Sequence, residues 1–229
     1  MSGSTSFPVR RGRRERGNEI IEFAVLAAFL VPLLIWVMVN GMNLIRMIQC
    51  TQICRDIGNQ YVHGLDFSTS AAQQLAANLA AGYTLTVSAF AGDTSGNEAA
   101  NTGNSGNGLV VLSQIMYVGA ATCATLPSGT GCTNEYKYVF TQRISFGNGS
   151  LQFNGSTVSS ALGNTTASVT DSGYVENYLT DANAVSESAG NFITLSDGQL
   201  AYVSETFFAS PALGFSAFPA GGVYSRNFF

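Results

Sequence analysis

From Phe23 to Val39 the chain reads FAVLAAFLVPLLIWVMV, without a charge or a strongly polar side chain. Asn40, Gly41, Met42, Asn43, Leu44 and Ile45 extend the run before Arg46 ends it. About 20 apolar residues cross a bilayer as a helix, so the stretch is long enough. It is apolar all round rather than along one stripe, which argues against a buried core helix. The next residues, LIRMIQCTQICRDIGNQYV (44–62), keep a helical rhythm in Leu44, Ile45, Ile48, Ile53, Ile57 and Tyr61. The pattern predicts one rod over residues 18–64, membrane-spanning first and amphipathic afterwards, ending near Gly58 or Gly64.

Residues 65–229 read as an α+β domain with an antiparallel sheet. STSAAQQLAANLAA (68–81) predicts a second helix, with Ser68 or Ser70 as cap and Gly82 as stop. TLTVSAF (84–90) reads as a strand, and the Gly/Asn/Ser/Thr-rich stretch 91–108 as a loop. LVVLSQIMYVGA (109–120) and EYKYVFTQRISF (135–146), rich in β-branched and aromatic residues, predict a long hairpin. Residues 191–208 predict another, turning at Asp197-Gly198. Residues 147–190 are polar and weakly patterned, and no internal repeat is evident.

Charge sets the topology. Only 10% of the residues are charged, against roughly 25% in soluble globular chains. Arg10, Arg11, Arg13, Arg14 and Arg16 hold five of the ten positive charges, in a basic leader over residues 1–17. Positive charge marks the cytoplasmic side, so the N-terminus is expected inside and residues 65–229 outside the cytoplasmic (inner) membrane, in a single pass. A cleaved secretory signal is the competing reading, but VNGMNLIRMIQCTQIC (39–54) offers no Ala-x-Ala-like site. From Asp56 onward three basic residues face eleven acidic ones, which excludes nucleic acid as a partner of that part.

The leader meets the apolar run in R-R-E-R-G-N-E-I-I-E-F (13–23). Glu22 stands at the threshold of hydrocarbon, where an unpaired carboxylate is costly. Gly17, then Glu22-Phe23-Ala24, Pro32, Gly41, Arg46 and Arg55-Asp56-Ile57-Gly58 follow in order. Over residues 11–62 this resembles the type IV prepilin class, and within it the TadE/TadG-like proteins of bacterial Tad (Flp-type) pilus systems. The resemblance implies a prepilin peptidase as partner, cutting between Gly17 and Asn18. It implies that Glu22 pairs with the new α-amino group of Asn18, or with that of a neighbouring subunit, offsetting the burial of both charges. It implies other pilin or pseudopilin subunits as partners through the N-terminal helix, beside membrane lipid. Asn18 departs from the Phe common at this place in major pilins, and Glu19 adds a second acid; both count against a main filament subunit. Pro32 removes a backbone hydrogen bond in mid-helix, which predicts a kink.

Cys123 and Cys132 close the short loop CATLPSGTGC and predict a disulfide outside the membrane. Cys50 and Cys54, four apart on one helix face, are open to three readings: buried small hydrophobes, an intersubunit disulfide, or bridges to another segment. The sole histidine, His63, lies outside any nucleophile motif. No spacing predicts a metal site or a cofactor, and DTSGNE (93–98) lacks the full Ca²⁺ ligand pattern. Asn148, Asn154 and Asn164 begin N-x-S/T triplets that this composition produces by chance. The expectation is a non-enzymatic minor pilin or pseudopilin, anchored in the inner membrane and incorporated in a surface pilus. The alternatives are a main filament subunit, disfavoured by the 229-residue length, and a tethered adhesin or ligand-binding module unrelated to pili.

Overall fold

The computed structural model describes residues 12–82, 100–103, 106–128, 130–153, 156–163, 165–209 and 222–229. The chain divides into two compact units, Met1–Leu44 and Ile45–Phe229. Helix α1 (Gly12–Val62) supplies all the described structure of the first unit and opens the second. In the first unit the helix is bare. Phe23 and Phe29 are 73% and 75% exposed, and Leu26, Leu30, Leu33, Leu34 and Trp36 are exposed as well. The helix carries Pro32 without interruption, although a proline has no N–H for the carbonyl four residues back. It is long and apolar enough to cross a membrane, with a mean hydropathy of 2.6 in its best window.

The second unit is α+β. Helix α2 (Ser70–Gly82) follows α1. The sheet contains β1 (Ala100–Gly103), β2 (Gly108–Val118), β3 (Lys137–Asn148), β6 (Leu200–Ala209) and β7 (Gly222–Phe228) in the order β1-β3-β2-β6-β7. Four strands are mutually antiparallel, and β1 adds to β3 in parallel. A helix of one turn, α3 (Ala120–Cys123), leads out of β2. A small ribbon of β4 (Gln152–Phe153) and β5 (Ser156–Thr157) stands apart from the main sheet.

Alternation along β6 explains the layering. Ser204, Thr206 and Phe208 face the helices, while Val203, Glu205 and Phe207 face the other way. On the helical side Ile53, Ile57, Tyr61, Phe67, Ala76 and Ala80 close over Val110, Leu112, Ile144, Phe146 and Phe208. On the opposite side the weakly patterned stretch becomes the cover. Leu162, Val175, Leu179, Ala184 and Ala189 bury Ile115, Phe140 and Val203, and Val118 and Val139 belong to the same cluster. The two cores meet at a bulge between Gln114 and Ile115, where Thr141 is the extra residue of β3. A bulge sharpens the local twist, turning the strand ends toward the second cover.

Three expectations are corrected. The hairpin over 191–208 does not form: Ala189–Asn191 is a 3-10 turn, and Leu200–Ala209 pairs with β2 instead. The long apolar flank of β2 offers more ladder than the short 191–196 segment does. Part of the expected 91–108 loop is strand β1, paired with Ser145–Asn148. The cap of α2 is Thr69, whose hydroxyl accepts from Ala72 N at 3.4 Å, while Ser68 turns back onto Asp66. The expected strand 84–90 and most of the leader lie outside the described residues.

Candidate functional site

Two surfaces of α1 carry the residues singled out in the sequence. Its first half holds Glu22, exposed among exposed apolar neighbours. Gly17 and Asn18 lie within α1 as well, so the peptide bond between them is helical. A protease that takes its substrate extended must first unwind that turn. Asn40 donates its side-chain N–H to Trp36 O at 2.8 Å, which satisfies part of one polar group inside the apolar stretch.

Residues 50–61 of α1 lie against the sheet of the second unit. Every residue of the set Cys50, Ile53, Cys54, Ile57, Gly58 and Tyr61 is buried, and these repeat at helical spacing. Thr51, Gln52, Arg55 and Asn59 on the other side are exposed. The amphipathic half therefore spends its apolar face on its own domain. Tyr61 donates to Gln142 Oε1 at 2.8 Å and meets Tyr202 edge-on at 5.4 Å. Gly58 permits the close approach: a Cβ there would run into the Phe229 ring and come within 2.7 Å of Ser204 Oγ.

Cys50 and Cys54, for which three readings were open, sit in this chain as small buried side chains. Both are free and fully buried. The Cys50 thiol donates to Thr206 O at 3.5 Å, and Cys54 Sγ lies 3.2 Å from Ser204 O and 3.5 Å from Ser225 O. No third cysteine approaches them, because Cys123 and Cys132 are bonded to each other, with Cα atoms 5.6 Å apart.

Sequence reasoning missed a buried polar cluster on the far face of the sheet. Glu205, fully buried, accepts from Ser160 Oγ, from Ala161 N at 3.0 Å and from Tyr224 OH at 2.7 Å. Arg143 donates to Ser113 Oγ at 2.7 Å and Gly163 O at 3.0 Å, with its guanidinium over the Phe140 ring. Burial pulls the Arg143 pKa down to about 10, while Glu205 and Tyr61 pull the other way. Burial, and then the hydrogen bond to Glu205, push the Tyr224 phenol well up. One carboxylate and one guanidinium thus hold the segment 160–163 on the sheet, with Leu162 driven between them into the core. The missed signal was AYVSETFF (201–208), an acid in the middle of an apolar strand. Glu205 and Ser160 are buried, while Tyr224 and Arg143 reach partly to the surface at the edge of the group.

Asp197 is exposed and was expected in a hairpin turn. Instead it caps α3, accepting from Gly119 N at 2.7 Å, Ala121 N at 2.8 Å and Thr122 Oγ1 at 2.5 Å. The Thr122 hydroxyl, followed by these amides, holds the carboxyl below its usual range. That cap ties the disulfide loop to the start of β6. His63 is exposed at the end of α1. Asn148 is tied at both ends of its amide, to Gly106 O and Ser150 N; Asn154 and Asn164 lie outside the described residues, as does 93–98. Among the described residues no group of three or more His, Cys, Asp or Glu gathers as metal ligands.

No family model, no curated protein and no solved structure matches this chain.

Proposed function

We propose that the chain is a TadE/TadG-like minor pilin or pseudopilin, a non-enzymatic membrane-anchored subunit of a Tad-type pilus machinery. One observation carries the reading: α1 changes character at residue 49, bare and apolar before it, packed on its own sheet after it. A soluble protein has no use for thirty consecutive largely exposed positions of this kind, since large exposed apolar surfaces mark a membrane or a partner. The helix would lie in the cytoplasmic membrane, with the arginines inside and the α+β unit outside. Neighbouring pilin or pseudopilin helices would cover it during assembly. Glu22, exposed in the isolated chain, would find its counter-charge in the α-amino group freed by prepilin peptidase at Asn18. Pro32 would let the helix bend as it packs.

Intact mass and N-terminal sequence of the protein purified from its native membrane test this. An N-terminus at Asn18 supports the pilin reading, and Glu22→Gln should then abolish pili while leaving export intact. A chain that still begins near Met1 overturns it in favour of a tethered binding module. Cleavage beyond residue 40 would refute the anchor itself.

A further inference from the structure

Where α1 meets strands β6 and β7, small and polar groups line the seam beside the apolar contacts of Ile53 and Ile57. The helix brings small residues, Cys50, Cys54 and Gly58, at four-residue spacing. The strands answer with Ser204, Thr206 and Ser225. Three side-chain atoms at or beside this seam, Gln60 Oε1, Thr206 Oγ1 and Asn227 Nδ2, are buried without a hydrogen-bond partner among the described residues. Such groups forgo the hydrogen bonds that water would give them, so the docked state is penalised where they lie. Both thiols, by contrast, are sealed completely and touch backbone carbonyls of the strands.

We infer that this seam is a thiol-guarded joint: Cys50 and Cys54 stay reduced only while residues 50–61 lie on the sheet, and their oxidation after undocking prevents the helix from reseating. Opening of the joint is sub-global, leaving the second core and the Cys123–Cys132 disulfide in place. One helical turn separates the two cysteines: their Cα atoms, about 6 Å apart on ideal geometry, suit a disulfide, but their Cβ atoms, about 5–6 Å apart, must close to about 4 Å, so the bond distorts the turn between them. The balance is simple. The two thiols give two hydrogens and two electrons to a disulfide oxidant, which leaves as two thiols, and one S–S bond forms. Drawing the sulfurs toward each other takes them off Ser204, Thr206 and Ser225, so the oxidised face no longer matches the strands. The physiological use of the joint rests on the exported, oxidising location proposed above; the mechanics do not.

The test uses the full chain in detergent micelles. Maleimide labelling of Cys50 and Cys54, followed by mass spectrometry, is compared with the global unfolding rate from denaturant jumps. Labelling should outpace global unfolding by about tenfold or more. Gly58→Ala, which lifts the helix from Ser204 and Phe229, should speed it by about a further tenfold. Val118→Ala, in the second core, should change it less than about twofold while lowering global stability. Labelling at the global unfolding rate, or an equal response to both substitutions, overturns the joint. Treatment with oxidised glutathione supplies the second arm. The oxidised chain should become protease-sensitive within residues 50–61; a digest identical to that of the reduced chain would overturn the failure to reseat. Neither arm depends on leader cleavage, so each can fail while the pilin reading stands, and the reverse.

Discussion

Removing the Glu205 carboxylate should cost far more than neutralising it. Glu205→Ala leaves the Ser160 hydroxyl, the Ala161 amide and the Tyr224 hydroxyl without their acceptor. It also removes the negative charge that favours the half-buried Arg143 guanidinium. A single orphaned donor costs about 1–3 kcal/mol, and such costs do not add fully when groups share one cavity. Three such donors, discounted for that overlap, set an expected range of about 3–5 kcal/mol. Glu205→Gln keeps the shape and one carbonyl acceptor, so about 1–2 kcal/mol is expected. Domains have only about 5–15 kcal/mol in total, so the alanine variant should be marginal.

At about 2–4 °C per kcal/mol for a unit of this size, Glu205→Ala should lower the thermal midpoint by about 6–20 °C. Near-ultraviolet circular dichroism in micelles reads the melt through the tyrosines of the second unit. A double-mutant cycle with Arg143→Met separates the charge coupling from the lost hydrogen bonds. If Glu205→Ala melts within a degree or two of Glu205→Gln, the clamp is not electrostatic, and the cover over residues 160–163 is held by Leu162 alone.

Other consequences are more local. Asp197→Asn should speed amide exchange at Gly119 and Ala121, and in the wild type the same amides should loosen as pH falls through the depressed carboxyl pKa; unchanged exchange would remove Asp197 as the cap. Because the folded Tyr224 pKa is raised, its contribution is present below the unfolded value near 10 and fades as pH rises beyond it. Stability should therefore drop in alkali, and Tyr224→Phe should flatten that limb. Cys123→Ser with Cys132→Ser should cost about 2–3 kcal/mol in a denaturant titration, from the entropy of a short loop released in the unfolded chain.

Legibility followed the strength of the local signal. The apolar rod, the long β2–β3 pairing and the 123–132 disulfide rest on dense, short-range patterns, and all three are in the structure. What escaped depends on partners distant in sequence. Ser160 and Glu205 stand 45 residues apart, and no periodicity links a serine in a polar stretch to an acid in a strand. Asp197-Gly198 is a strong turn signal, and the turn exists, but β2 outcompeted the neighbouring segment for β6. Cys50 and Cys54 were undecided because helical spacing fixes their common face, and only the sheet decides what that face meets.

The assignment of α1's faces narrows what must cover the rest of it. Had residues 50–61 been free, a bundle of helices could have formed along the whole rod. Their apolar positions are instead consumed within one chain, against β2, β3 and β6. The surface still seeking burial is the stretch from Ile20 to Ile48, which exposes large apolar side chains along most of its length. A single neighbouring helix covers one stripe of such a cylinder, leaving the remainder exposed. Lipid would cover all of it at once, and the polar residues Glu22, Asn40, Asn43 and Arg46 lie toward the two ends of the run, where headgroups and water could reach them. Such a surface supports the bilayer placement proposed above. On the proposed function, assembly with other subunits would exchange that lipid for helix contacts.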